Sequence, residues 1–382
     1  MRKCSSQIAL FLVVSGLWAG SLSAAVQVEG LYEVEVPVSN QARDERKRAL
    51  RQGLADLITR LTGSQALEQF GQFLSVLDRA SSYVEQYRYR TGPELEPGQK
   101  PEFLLWVRFN RKAIQKLLRE QQLPMWGSTR PETLVWIAYQ DQGERHILAE
   151  DQASSLYRAA LTHARRRGVP VLLPLMDLED QRNVGIGDIW GGFAGTVKTA
   201  SIRYATENIL IGRVYPVAGG WESRWTLISK TGEQHWSGTG RQAGNAIAVG
   251  FDGLGDLMAS RYAQKTTYDA SRYHLKVAAV NSLKDYAKAS RYLANVSLIT
   301  RFQPVYFTQG NATYEIEING TIEGLEQVLK LEQRLLKDDE VIVIQPQPVS
   351  PSQPETVLTE EGETLAINNT PSIETLYYRL RP

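Results

Sequence analysis

The sequence predicts an α/β and α+β protein of three small modules, and three features carry that reading. Apolar runs of strand length alternate with segments of helical periodicity along most of the chain. Two continuous apolar runs, residues 169–176 and 209–212, have the unalternating pattern of strands covered on both faces. The middle module is therefore expected to hold a mixed sheet flanked by helices. Beyond Tyr273 the order strand-helix-strand-strand-helix-strand matches a ferredoxin-like β-α-β-β-α-β unit. A length of 382 residues accommodates two or three cores. The charged fraction of 22% and hydrophobic fraction of 42% exclude a polytopic membrane protein.

Residues 1–25 read as a signal peptide. Arg2 and Lys3 form the positive start, residues 8–17 the apolar segment, and Ser23-Ala24-Ala25 a small-residue cleavage site. The rival reading is a retained anchor, because residues 8–25 are marginally long enough to span a bilayer. Cys4 is the only cysteine. Its removal with the signal leaves no thiol for a disulfide, a thiolate metal site or a nucleophile. Without Arg2 and Lys3, the 43 basic residues fall to 41 against 42 acids, a net charge of −1. That balance gives no electrostatic footprint for nucleic acid.

The first module spans 26–124. Tyr32, Val34, Val36 and Val38 alternate as in a half-buried strand, and Asn40 is placed to cap the helix that follows. Leu50, Leu54, Leu57, Ile58 and Leu61 give that helix its apolar face, and Gly63 suits its end. Residues 83–90 and 103–109 read as strands, and Asn110 opens a helix with Ile114, Leu117 and Leu118. The Pro, Gly and Ser cluster at 124–131 marks a boundary.

The central module spans 132–265, with a strand at 133–139 and a helix after Asp151 that ends in Arg165, Arg166 and Arg167. Cations in a last helical turn complement the helix dipole. After the first apolar run comes a loop rich in acid and glycine, then a short helix at 196–206 and the second run. Two strands joined at Lys230-Thr231-Gly232 follow, with Trp221, Trp225 and Trp236 read as packing residues. A closing helix at 243–262 is expected to be interrupted by Gly250, Gly253 and Gly255. The third module, 272–345, ends in a strand at 340–344, and 346–382 has the composition of a disordered tail. Residues 373–378 are apolar enough to dock on the protein or on a partner.

Standard catalytic patterns are absent from the sequence: there is no Gly-x-Ser-x-Gly elbow and no His-Glu-x-x-His run. The loop that leaves residue 176 is expected at the carboxyl end of an interior strand, where α/β sheets bind ligands. Its binding candidates are Asp177, Asp180, Asp188 and Trp190, with Arg203 and Arg213 as forks for a carboxylate. The three aspartates are also the residue type that holds a hard cation, but their spacing is not that of a calcium loop. No cofactor is expected.

The run Leu173-Pro-Leu-Met-Asp-Leu-Glu-Asp180, Asp188-Ile-Trp-Gly191, Ala200-Ser-Ile-Arg-Tyr204 and Ile209-Leu-Ile-Gly-Arg-Val214 resembles a known pattern. It is that of an uncharacterised exported Gram-negative family, domain of unknown function two thousand and sixty-six. The middle segment is distantly similar to the α/β domain of the TolB amino terminus and of the curli-secretion and penicillin-binding-protein-activator lipoproteins. That resemblance implies an envelope adaptor. The chain departs from those lipoproteins in lacking a lipidated cysteine.

The expectation is thus a periplasmic, non-enzymatic interaction protein with an envelope protein or cell-wall component as partner. It would bind through sheet edges, the 177–193 loop or the carboxyl tail. Two alternatives stand beside it. One is a hydrolase or transferase that uses the acidic loop, and the other is a small-molecule carrier with an apolar pocket near Trp190.

Overall fold

Strand pairing and core packing sort the chain into the three modules. The computed structural model describes residues 25–64, 73–92, 103–149, 155–263, 271–296, 298–308, 310–338 and 373–381. The signal segment up to residue 24, the expected closing strand at 340–344 and the tail at 346–372 lie outside them. The first module runs through β1 (Ala25–Gln27), β2 (Glu33–Val38), α1 (Arg43–Thr62), α2 (Phe73–Asp78), β3 (Val84–Thr91), β4 (Phe103–Phe109) and α3 (Arg111–Glu120). Its antiparallel sheet has the order β2-β4-β3. Alternation in β2 puts Val34, Val36 and Val38 into one core with Leu54, Leu57 and Ile58 of α1. Asn40 does not cap α1. The position before the helix is Ala42, whose N–H donates to the Asn40 side chain at 2.9 Å.

The central module continues with β5 (Thr129–Pro131), β6 (Thr133–Asp141), β7 (Glu144–Leu148), α4 (Ser155–Arg167) and β8 (Val171–Leu172). Next come α5 (Leu178–Asn183), α6 (Ile186–Gly191), α7 (Ala194–Ser201), β9 (Asn208–Val217), β10 (Gly220–Ser229), β11 (Gly232–Gly240) and α8 (Ala243–Tyr262). The sheet order is β11-β10-β9-β6-β7, with β6 and β9 parallel. One face shares a core with α4 and α8 through Leu210, Val214, Trp225 and Leu227. The other packs Trp136, Ile209 and Ile211 with Ile189 of α6 and Val197 of α7. This is the mixed sheet flanked by helices.

Two expectations for this module need correction. Residues 169–176 are not an interior strand: only Val171 and Leu172 pair, half-buried, with Thr133 and Leu134 at one side of β6. Pro170 and Pro174 bracket this pair, and proline supplies no N–H to a ladder. The interior parallel strands are β6 and β9. Second, α8 is unbroken. A Cβ on Gly250 would lie 2.3 Å from the Trp225 ring, and one on Gly212 across from it 2.2 Å. Those glycines seat the indole between helix and sheet.

The third module comprises β12 (Ser271–Val280), α9 (Leu283–Asn295), β13 (Ile299–Thr308), β14 (Gly310–Ile318), α10 (Ile322–Glu332), β15 (Leu335–Lys337) and β16 (Thr375–Leu380). Its sheet order is β13-β14-β12-β16-β15. Part of the expected tail is therefore an inner strand. β16 runs parallel to β12 and antiparallel to β15 and buries Leu376, Tyr378 and Leu380 in the module's core. Alternating apolar residues on a half-buried strand gain more by burial than a disordered end retains in freedom.

A wholly buried arginine ties the first module to the second. Arg130 donates to the carbonyls of Arg60 at the end of α1 (2.9 Å), Gly168 just past α4 (2.7 Å) and Trp126 (3.1 Å). A cation there meets the negative ends of two helix dipoles. Burial lowers its pKa from the ordinary value. No described helix is long and apolar enough to cross a membrane.

Candidate functional site

The segment between β8 and β9, with β9 itself, places the six candidate residues in three separate settings. Asp177 is the N-cap of α5 and accepts from the N–H groups of Glu179 (3.1 Å) and Asp180 (3.0 Å). Arg203, just after α7, turns both ends of its fork onto Asp177, at 2.7 and 2.8 Å. It also reaches the Asp180 carboxylate at 3.1 Å. Asp180 is buried; its second oxygen accepts from the Met176 N–H at 3.0 Å and from the Tyr204 hydroxyl.

These groups form a closed latch. Hydrogen bonds from Arg203 hold the Asp177 carboxyl well below the usual carboxylate range and raise the guanidinium in turn. Burial, then the bond to Asp180, pushes the Tyr204 phenol up to about 12. The Tyr204 oxygen in turn accepts from the Leu175 N–H at 2.9 Å. Met176 sits at φ 54, a left-handed backbone that costs a non-glycine residue about 1–2 kcal/mol. Bonds to both of its peptide groups hold it there, the Gln181 amide donating to its carbonyl at 2.6 Å. Three of the residues expected to bind a ligand, Asp177, Asp180 and Arg203, are thus each other's partners.

Asp188 lies apart from this cluster and accepts from the Gly185 N–H at 2.8 Å, tying off the first turn of α6. No group of three or more His, Cys, Asp or Glu that could hold a metal ion occurs among the described residues.

Trp190 and Arg213 belong to a different place, where β6 and β9 approach their carboxyl ends. Arg213 donates to the Trp190 carbonyl at 2.8 Å. The Trp190 ring has the Arg145 guanidinium 4.1 Å from its centroid and the Tyr215 ring at 5.8 Å. From here an open groove of ≈ 530 Å³ runs along the outer face of β9, β10 and β11. Its floor carries Arg213, Arg224, Thr226, His235 and Ser237. Arg224 donates to Glu222 at 2.8 Å, and the Tyr215 hydroxyl donates to the same oxygen at 2.5 Å. The Thr226 hydroxyl lies 2.9 Å from Nδ1 of His235. Polar side chains share the lining with Ile189, Trp190 and Ile211, and the groove is open, in contrast to the deep apolar pocket that a carrier of apolar molecules requires.

Arg145, Arg224 and His235 were not singled out as binding residues by the sequence, and Arg224 was readable there. β9 and β10 are joined by the two residues Ala218 and Gly219, and counting back from that turn puts Arg213 opposite Arg224.

A three-module α/β protein with a closed acidic latch and an open cationic groove is the class that the coordinates define. Residues 25–127, the first module, match the family model described as Domain of unknown function (DUF8605). That is a different family of unknown function from the one the chain resembles by motif. No curated protein matches the chain.

Proposed function

We propose that this chain is a non-enzymatic interaction protein of the periplasm or cell envelope, exported on residues 1–25, whose partner is a protein that lays an extended segment along β13. The observation that carries the reading is the character of that edge. Among the described residues β13 is the outermost strand of its sheet, and it is ten residues long. Val305, Tyr306 and Phe307 are 47%, 52% and 53% exposed, and no charged residue occurs from Phe302 to Thr308.

Edge strands are ordinarily blunted by charge or brevity. Among the other edges, β2 carries Glu33 and Glu35, β3 carries Glu85, Arg88 and Arg90, β7 carries Glu144 and Arg145, β15 has three residues, and β11, nine residues long, carries Glu233. Arg301, Pro304 and two register shifts break the regularity of β13, but its uncharged, aromatic half beyond Pro304 is suited to addition of a strand, with backbone bonds for affinity and side chains for selectivity. The engagement of Asp177 and Asp180 with Arg203 supports a non-catalytic reading of the acidic loop.

Photo-crosslinking tests this. A benzophenone residue at position 306 in the exported protein is expected to give one discrete adduct. Val305→Lys with Phe307→Lys should abolish it, and a crosslinker at Arg88 should not produce it. No adduct beyond the Arg88 control, or one that survives both lysines, would sink the reading. Turnover in an unbiased hydrolase screen that vanished with Asp177→Asn would replace it with an enzyme.

A further inference from the structure

We propose that the groove beside Trp190 is a binding site for a small molecule that carries an oxyanion, a carboxylate or a phosphate, held between Arg213 and Arg224. This goes beyond the strand-edge reading and uses another face of another module. The register of the β9–β10 hairpin sets the two arginines directly opposite each other. Like charges at directly opposed positions destabilise a strand pair, so their placement here needs a cause. Arg213 donates to the Trp190 carbonyl, and Arg224 to Glu222 with the Tyr215 hydroxyl also within its hydrogen-bonding reach. Two guanidiniums thus share one carboxylate on this face, Glu222.

The surrounding groups fit the same ligand. Arg145 stacks on the ring of Trp190, a residue that lines the groove, and so adds positive charge nearby. Ser237 lies opposite Arg224 on β11, and Thr226 with His235 supplies neutral hydrogen-bonding groups one step along. The acids on this face are Glu222, already shared by Arg224 and Tyr215, and Glu233, which lies 3.9 Å from Nε2 of His235. An oxyanion between the two forks replaces their repulsion with charge-assisted bonds. At ≈ 530 Å³ the groove has the size of a small-molecule site.

The test is isothermal titration of the full chain, in low-salt buffer, with inorganic phosphate, glucose 6-phosphate and glucuronate. Saturable binding of at least one is expected, weakened at least about tenfold by Arg213→Gln and by Arg224→Gln. Arg224→Lys should weaken it as well, because lysine keeps the charge and loses the fork. Arg88→Gln, in the first module, should leave it intact, and circular dichroism checks that each variant is folded. Preference for glucuronate identifies a carboxylate headgroup, and preference for the two phosphates identifies a phosphate. No saturable binding of any of the three up to about 20 mM, which leaves less than about 2.3 kcal/mol of affinity, overturns the proposal. So does binding that both glutamine variants leave unchanged.

Discussion

Beside α5 a single arginine meets two carboxylates, whereas on β9 and β10 one arginine meets another. Both clusters lie on the side of the central sheet that α6 and α7 cover in part, yet they stand in opposite electrostatic condition. In the latch every charge of Asp177, Asp180 and Arg203 is answered within 3.1 Å by a named partner. In the groove, Arg213 and Arg224 face each other across a strand pair. A loop rich in acids draws the eye in a sequence, but acids with an arginine in reach are satisfied. A surplus of charge of one sign, here Arg213 and Arg224 against the single carboxylate of Glu222, is the better mark of a ligand. If the contrast is real, damage to the latch should lower stability, and damage to the groove should lower binding.

The largest effect belongs to Asp180. Its carboxylate is buried and takes bonds from Arg203, Tyr204 and the Met176 N–H. Asp180→Ala removes the acceptor and leaves those donors without one. It is expected to cost about 3 kcal/mol in urea unfolding, the size of breaking a buried charge network from one side. Arg224→Gln in the same assay should show no loss. Equal losses in the two variants would erase the distinction between latch and groove.

A smaller effect follows from pH. Arg203 holds the Asp177 carboxyl below its ordinary range, so the folded state favours the charged form. Such a group adds its full stability above the unfolded value near 4, and that part is lost as the pH falls through the depressed folded value. From about pH 5 downward the wild type should therefore lose stability more steeply than Asp177→Asn, whose amide does not titrate. The two curves should draw together at the acid end. Parallel acid limbs would show that the Arg203 fork contributes nothing to the fold.

How much of this was readable in the chain depends on how local each feature is. β6 and β9 stand out because a strand buried on both faces must be apolar at successive positions, as in residues 134–138 and 209–212. The caps at Asn110, Ser282 and Thr321 are equally local, and each side chain accepts from a nearby N–H at the start of its helix. The 169–176 run failed because composition outweighed its two prolines. The latch was missed for another reason: Arg203 is 26 residues from Asp177, and only folding of α5 to α7 brings the two together. β16 showed its alternation in Leu376, Tyr378 and Leu380, but its place between β12 and β15 is set by pairing with residues 101 positions earlier in β12 and 41 to 45 earlier in β15. The groove lies between these extremes, because one tight turn at Ala218 and Gly219 is enough to align its two arginines.

The finest test of the contrast is the sign of the coupling between those arginines. If Arg213 and Arg224 repel, either glutamine substitution alone relieves the whole repulsion, and the double variant gains nothing further from it. A double-mutant cycle should then report an unfavourable interaction between the two wild-type side chains, the reverse of an ion pair. Salt sharpens the reading: at about 1 M the Debye length falls to about 3 Å, so an exposed repulsion should fade from the cycle. A saturating oxyanion should go further and reverse the sign, because it links the two forks through one partner. A favourable coupling in the ligand-free protein would mean that the pair is already bridged by groups of the protein itself, and the groove would lose its claim to a ligand.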